Sequence, residues 1–177
     1  PRLEGALSRF RRLNPFARVI GLSATIGNRM NLATWLKGTC YESEYRPVPL
    51  SWRIARFRNA STKTQMAIQE VHATVKNHGQ SLIFVQSRRR AEQLTAELKA
   101  SGIRAAHHHG GLTLSSRKNA EDQYRKGDIA ALVATPTLEM GVNLPCRQVI
   151  LYDMQFFDGQ GYSPLSVNQV WQRGGRA

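Results

Sequence analysis

The feature that most constrains this chain is a regular alternation of short apolar runs with longer amphipathic segments. Runs such as SLIFVQ (81–86) and IAALVAT (129–135) are continuously apolar, which is typical of strands buried on both faces of a parallel sheet. The segments between them have helical period, start at capping residues and stop at glycine. The sequence therefore predicts an α/β fold, a parallel sheet with helices on both faces. The predicted strands are 18–25, 81–86, 103–108, 129–135 and 148–153, and the predicted helices are 3–13, 28–38, 62–78, 88–101, 116–126 and one from Ser163-Pro164 toward Gln172.

One segment interrupts this alternation. YRPVPLSWRIARFRN (45–59) contains two prolines and four arginines and has no helical period. Extended, proline-containing, basic stretches of this kind are typical of linkers. We therefore expect three parts: residues 1–45, a linker over 46–60, and a unit over 61–177.

The charge indicates the kind of partner. The formal net charge is +13 at pH 7, spread along the chain rather than collected in a tail. Such an excess favours binding to nucleic acid, because cations bind phosphate. No apolar run is long enough to span a bilayer. Cys40 and Cys146 lie far apart without metal-like spacing, which fits a reducing compartment such as the cytoplasm, nucleoid or nucleus.

Polar and small residues follow each predicted strand, where ligands of parallel sheets bind. Ser23 and Thr25 close the first strand, and Ser87 and Arg88 follow the next. A helix start rich in arginine attracts phosphate through its free N–H groups and its dipole, although a solvated helix face explains Arg89 and Arg90 equally well. Each hydroxyl residue could equally be a helix cap.

The segment HHHGG (107–111) follows a third strand. Adjacent histidines on a strand point to alternate faces, so three in a row rarely converge on one ion, and no metal site is predicted. Gly110 and Gly111 allow the backbone to approach a sugar-phosphate chain closely, or simply form a turn. After the fourth strand, Thr135, Gly141 and Asn143 belong to a turn that looks built around a ligand.

Five motifs occur in one order: LSAT (22–25), FVQSR (84–88), HHGGL (108–112), TPTLEMGVNLP (135–145) and QRGGRA (172–177). In this order they resemble the superfamily 2 helicases, in particular the DEAD/DEAH-related branch that includes archaeal DNA-repair helicases and exosome-associated RNA helicases. The resemblance covers nearly the whole chain. It implies two RecA-like domains that hold ATP in the cleft between them and nucleic acid across the top.

The resemblance also implies roles for residues on the nucleic-acid side. Ser87 and Arg88 match a motif that faces nucleic acid, and Gly110 and Gly111 match the glycine turn that touches its backbone. Thr135 matches a hydroxyl that binds a phosphate of the strand, either DNA or RNA, as a single strand or at a strand–duplex junction. Ser23 and Thr25 match a motif at the end of the first RecA-like domain that couples hydrolysis to strand movement.

On the nucleotide side, Gly141 and Asn143 match positions beside ATP and the last motif. Gln172, Arg173 and Arg176 fall in that last motif, whose arginines reach the γ-phosphate. Arg176 matches an arginine finger, and Arg173 stands where the family often has methionine. Mg²⁺ would be held by the first RecA-like domain.

The 177 residues contain neither G-x-x-x-x-G-K-[ST] nor an Asp-Glu pair. Without a phosphate-cradling loop and a magnesium-holding carboxylate, ATP cannot be positioned for attack. We therefore expect a segment of a longer helicase, comprising the end of the first RecA-like domain, the linker and most of the second, that does not hydrolyse ATP alone. A non-catalytic RecA-like module that binds nucleic acid or protein is the alternative. A metabolite-binding doubly wound enzyme has little support, because a Gly-rich first turn is missing.

Overall fold

The computed structural model describes residues 2–23, 26–43, 45–139, 144–157 and 160–177. Its contacts divide the chain into two compact units, residues 1–45 and 46–177. The first unit contains two helices, α1 (Arg2–Leu13) and α2 (Arg29–Leu36). Arg11 of α1 donates a hydrogen bond to the carbonyl of Trp35 in α2, over 3.2 Å.

The predicted strand at 18–25 is wrong for the residues that the structure describes there. Residues 18–23 form no strand, and the side chains of Ile20 and Leu22 are 80% and 92% exposed. A strand that is buried on both faces needs neighbouring strands to satisfy its backbone groups. The described residues of the first unit supply none, so the apolar run forms no strand and is exposed.

The second unit is built on a four-stranded sheet. Its strands are β1 (Ser81–Phe84), β2 (Ala105–His108), β3 (Ala131–Ala134) and β4 (Gln148–Leu151). They are all parallel, in the order β2-β3-β1-β4. This arrangement confirms the predicted parallel α/β fold. Each pair of parallel strands requires a crossover connection between them.

Three helices pack on the sheet. Helix α3 (Ala60–Lys76) precedes β1, whereas α4 (Arg88–Ala100) and α5 (Leu114–Lys126) cross over from β1 to β2 and from β2 to β3. Side chains alternate along β1, so Ile83 packs with α3 and α4 on one face while Leu82 and Phe84 pack with α5 on the other. Helices therefore cover both faces of the sheet. Helix α3 begins earlier than predicted, because Asn59 rather than Ser61 caps it by accepting from the Thr62 N–H.

The last part of the chain differs from the prediction. Residues predicted to open a helix form strand β6 (Tyr162–Pro164), which pairs antiparallel with β5 (Gln155–Phe157). Helix α6 (Val167–Gly174) starts later, because Ser166 and Gln169 form a capping box. The Ser166 side chain accepts from the Gln169 N–H, and the Gln169 side chain accepts from the Ser166 N–H. Proline lacks a backbone N–H, which a strand tolerates at its end. Ser163-Pro164 therefore fits the β5–β6 hairpin as well as it would fit a helix start.

The segment 46–59 has no helix or strand, in line with its extended character. It packs against α6 within the second unit. The rings of Trp52 and Trp171 meet edge to face with centroids 5.4 Å apart, and Gly174 lies so close to Trp52 that an added Cβ would be 2.2 Å from its ring. Arg46 donates to the carbonyls of Gly175 and Ala177 beyond the helix end. Among the described residues, no helix has both the length and the apolar character needed to cross a bilayer.

Candidate functional site

The residues that follow β1, β2 and β3 come together at one edge of the sheet. The Val85 N–H donates to the Ala134 carbonyl over 2.9 Å, and the Thr135 N–H donates to the His108 carbonyl over 3.1 Å. These bonds hold the carboxyl ends of three neighbouring strands in register. The structure therefore places Ser87, Arg88, the Gly110-Gly111 turn and Thr135 along a single edge of the sheet.

Arg88 and Gly111 are in direct contact. A Cβ added to Gly111 would lie 3.1 Å from Nη1 of Arg88 and 3.2 Å from its Cδ. Both residues are exposed. The arginine after β1 and the glycine turn after β2 thus form one continuous surface of a guanidinium and a bare backbone, which suits a phosphate chain.

Ser87 caps helix α4. Its side-chain oxygen accepts from the Arg90 N–H over 3.2 Å, as the sequence analysis allowed. A depression of about 290 Å³ lies at this helix start, lined by Gln86, Ser87, Arg89, Arg90 and Gln93. The Ser87 oxygen therefore serves as the cap of α4. The positive charge at this end of α4 comes from the arginines and the helix dipole.

Thr135 is only 6% exposed, at the point where β3 turns into a short 3-10 helix (Pro136–Glu139). Its carbonyl accepts from the Leu138 N–H over 3.1 Å. Leu138 and Leu144 are fully buried, so both ends of the following turn are fixed in the core. Gly141 and Asn143, predicted beside the nucleotide, lie outside the described residues, as does Thr25.

The predicted last motif divides between the interior and the surface. Arg173 is 1% exposed, and its guanidinium lies 5.3 Å from the ring centroid of Phe84, where a cation–π contact stabilises it. Gln172 is exposed. Arg173 thus points into the core of the unit, which the sequence alone did not indicate.

Arg176 is half-buried and tied to the turn after β3. Its Nη2 donates to the Leu138 carbonyl at 3.5 Å, and its own carbonyl accepts from the Cys146 N–H at 3.3 Å. The backbone around Arg176 is therefore held against the residues that flank 140–143. Ser23, the remaining predicted site residue, is exposed in the first unit.

An ion pair that sequence reasoning missed lies at the same edge of the sheet. Lys63 of α3 lies 2.7 Å from Oδ1 of Asp153, and Oδ2 of Asp153 accepts from the Gln86 N–H over 3.0 Å. Nζ of Lys63 is also 4.1 Å from the ring centroid of Tyr152. The pair joins the end of β4 to the loop after β1. Its one sequence signal is a carboxylate at the last position of a predicted strand.

The three histidines separate as strand geometry requires. His108 turns to one face, where its Nε2 lies 2.8 Å from Oε1 of Glu121. His107 and His109 share the other face, and their rings stack with centroids 5.2 Å apart. Burial, and then the neighbouring His109, lower the pKa of His107.

The Cys146 thiol has low reactivity, because burial raises its pKa from 9.0 to about 11. A pKa that is higher by two lowers the fraction of thiolate at a given pH about 100-fold, and only the thiolate reacts with alkylating agents. In a Cys40→Ser variant at pH 8, we expect Cys146 to react with iodoacetamide about 100-fold more slowly in the folded protein than in urea. Equal rates would contradict the burial of this thiol, and Cys146→Ser supplies the background.

The chain is similar to known proteins in both sequence and fold. A model of the family described as "Helicase conserved C-terminal domain" matches residues 62–177. "ATP-dependent DNA helicase Hel308" of Thermoplasma acidophilum is 34% identical over 100% of this chain and 31% of its own length. "Probable ATP-dependent helicase MJ1401" of Methanocaldococcus jannaschii is 36% identical over 99% of this chain and 22% of its own length. The chain thus spans less than a third of these relatives.

Among solved structures, the C-terminal domain of the DEAD-box protein Dbp5 superposes with a TM-score of 0.54 and 27% identity, over 67% of this chain and 63% of that one. S. cerevisiae Dbp5 bound to RNA and ADP BeF3 superposes with a TM-score of 0.58 and 26% identity, over 67% of this chain and 29% of that one.

Proposed function

The chain belongs to the family of helicase conserved C-terminal domains, and from this premise we propose that it is a segment of an ATP-dependent nucleic-acid helicase or translocase. In this proposal residues 1–45 end the first RecA-like domain, 46–60 form the linker, and 61–177 form most of the second domain. The motor would couple ATP hydrolysis to strand unwinding. The contact between Arg88 and Gly111 carries the proposal, because it joins two predicted strand-binding motifs in one surface.

The nucleic-acid strand would lie along the carboxyl edge of the sheet. Arg88 and the Gly110-Gly111 turn would bind its phosphates, and Thr135 would donate its hydroxyl to one of them. These contacts are to the backbone of the strand, so they carry no base sequence information. The relatives are named DNA helicases, whereas the solved Dbp5 is bound to RNA. Binding to matched single-stranded DNA and RNA would decide between them.

The nucleotide would lie between this unit and the first RecA-like domain. That domain would supply the phosphate-binding loop and hold Mg²⁺, because the 177 residues contain neither motif. ATP supplies a γ-phosphoryl group on which negative charge develops during transfer. From this side, Arg176 and Gln172 offer hydrogen-bond donors, which suit phosphate oxygens, and by the resemblance Gly141 and Asn143 would lie beside the nucleotide. The buried Arg173 would hold helix α6, which ends just before Arg176.

Binding of the chain to a labelled single strand should weaken steeply as salt rises. Log K is expected to fall by about 0.7 for each phosphate contact per tenfold rise in salt. We expect Arg88→Ala to weaken binding and to lower this slope by about one contact, and Thr135→Val to weaken binding without the charge effect. Fluorescence anisotropy at several salt concentrations measures both.

Arg104→Ala is the matched control, because Arg104 is an exposed arginine at the opposite, amino end of β2. It should change binding much less than Arg88→Ala. If the two arginine variants had equal effects, or if Arg88→Ala and Thr135→Val left the affinity unchanged, the nucleic-acid strand would not bind at this edge of the sheet. A chain that binds the strand but never takes part in hydrolysis would favour the alternative, a non-catalytic binding module.

A further inference from the structure

A cluster of two histidines and a glutamate lies on one face of the sheet edge. His107 and His109 are two residues apart, so both side chains point to the same face, and their rings stack almost parallel, 5° apart. Glu92 reaches them from helix α4, with its Oε1 3.0 Å from Nε2 of His109. Two ring nitrogens and one carboxylate oxygen, one from each residue, all lie within 4.8 Å of one another.

The buried nitrogen of His109 is a second, independent observation. The side chain of His109 is 4% exposed. Within the described part of the chain, its Nε2 makes no hydrogen bond, although Oε1 of Glu92 lies 3.0 Å away. A buried polar atom that makes no hydrogen bond loses its hydration without gaining a hydrogen bond in return. Such an atom, facing a carboxylate, marks a position for a ligand.

We propose that Glu92, His107 and His109 bind one divalent transition-metal ion of the zinc class. Zinc takes imidazole nitrogen at about 2.0–2.1 Å and carboxylate oxygen at about 2.0–2.2 Å. Glu92 is 55% exposed and His107 is half-buried, so both side chains can turn toward the ion. Because an imidazole lone pair lies in the plane of its ring, the two stacked rings tilt relative to each other when the ion binds. Mg²⁺ and Ca²⁺ are disfavoured because they prefer oxygen ligands. A fourth position remains open to solvent, as in zinc sites with three protein ligands.

Metal binding also changes the proton on His109. At present its Nδ1 accepts from the Gly111 N–H over 3.2 Å. A neutral imidazole has one proton, and an ion on Nε2 moves this proton to Nδ1, where it faces the Gly111 N–H. Occupancy therefore releases the Gly111 amide, which gives a local signal separate from any enzyme activity.

The test uses the tag-free 177-residue chain after removal of metal by a chelator. Zn²⁺ is titrated by calorimetry, and Co²⁺ is titrated by visible absorbance. We expect one ion per chain, an affinity at least about ten-fold lower in His107→Ala and in Glu92→Gln, and a rise in melting temperature with Zn²⁺ only where the cluster is intact. His72→Ala on α3 is the control, because it removes a histidine outside the cluster and should leave the affinity unchanged.

Amide NMR gives the second readout. Zn²⁺ should shift the Gly111 N–H resonance in the original protein and not in His107→Ala. The proposal is overturned if no ion binds, if His72→Ala loses as much affinity as His107→Ala, or if His107→Ala and Glu92→Gln bind as tightly as the original chain. None of these outcomes depends on the proposed helicase function, because neither nucleic acid nor ATP is present.

Discussion

Replacing Arg176 by alanine in a full-length helicase that contains this chain should lower the rate of ATP hydrolysis by about 10³–10⁵-fold. An arginine finger stabilises charge on the transferring phosphoryl group, and its removal leaves that charge uncompensated. Folding should be little affected, because the backbone bond from the Cys146 N–H to the Arg176 carbonyl remains, and the side-chain bond to the Leu138 carbonyl that is lost is long, at 3.5 Å. Steady-state phosphate release at saturating nucleic acid measures the rate.

Arg125→Ala is the matched control for this experiment. Arg125 is 52% exposed on α5 and pairs with Asp122 one turn away on the surface, so its loss should leave the rate within about twofold. Nucleic-acid binding by the Arg176→Ala enzyme should remain close to normal. A rate within tenfold of the original would show that Arg176 is no finger. Hydrolysis by the isolated 177-residue chain would contradict the assignment of the phosphate-binding loop to another domain.

Phe84→Ala should lower the free energy of unfolding of the second unit by about 3–5 kcal/mol. Phe84 is fully buried on β1, a central strand of the sheet, and truncation leaves a cavity that close-packed neighbours cannot refill. The ring also supports the guanidinium of Arg173, so the same change removes the cation–π contact that fixes α6. Urea denaturation followed by circular dichroism measures the loss.

The control is the same substitution at an exposed position. Phe16 is 99% exposed, and Phe16→Ala should change the free energy of unfolding by no more than about 0.5 kcal/mol. Phe84→Leu keeps most of the volume and should cost less than about 1.5 kcal/mol. A loss below 1 kcal/mol for Phe84→Ala would mean that the sheet centre can collapse around the gap, or that the ring is less buried than its surroundings indicate.

The sheet was predictable from the sequence because β1 and β3 are continuous apolar runs, which are typical of strands buried on both faces of a parallel sheet. The run at 18–23 has the same character, yet it forms no strand, because pairing partners are a property of the whole fold and not of the run. The predicted start of the last helix was wrong for a local reason. Ser163-Pro164 and Ser166 both carry helix-start chemistry, and only pairing with β5 selects between them.

The site was predictable where position along the chain decides it. Ser87, Arg88 and Gly111 follow parallel strands, and parallel strands end at one edge. What could not be predicted depends on side-chain direction between distant segments. Arg173 lies on Phe84, and Lys63 pairs with Asp153 from 90 residues away. The histidine cluster shows the same limit, since alternation along β2 put His107 beside His109, but only the packing of α4 brings Glu92 to them.

The contact between the start and the end of the second unit has a consequence for folding. Arg46 bonds to the Gly175 carbonyl across 129 residues, so this contact closes one of the longest loops of the unit. Loop closure costs entropy that grows with loop length, and contacts of high sequence separation slow folding. The sheet, whose strands are joined by nearer crossovers, can form before Trp52 and α6 meet. We therefore expect the turn that carries Arg176 to dock late in folding, after the core against which it is positioned has formed.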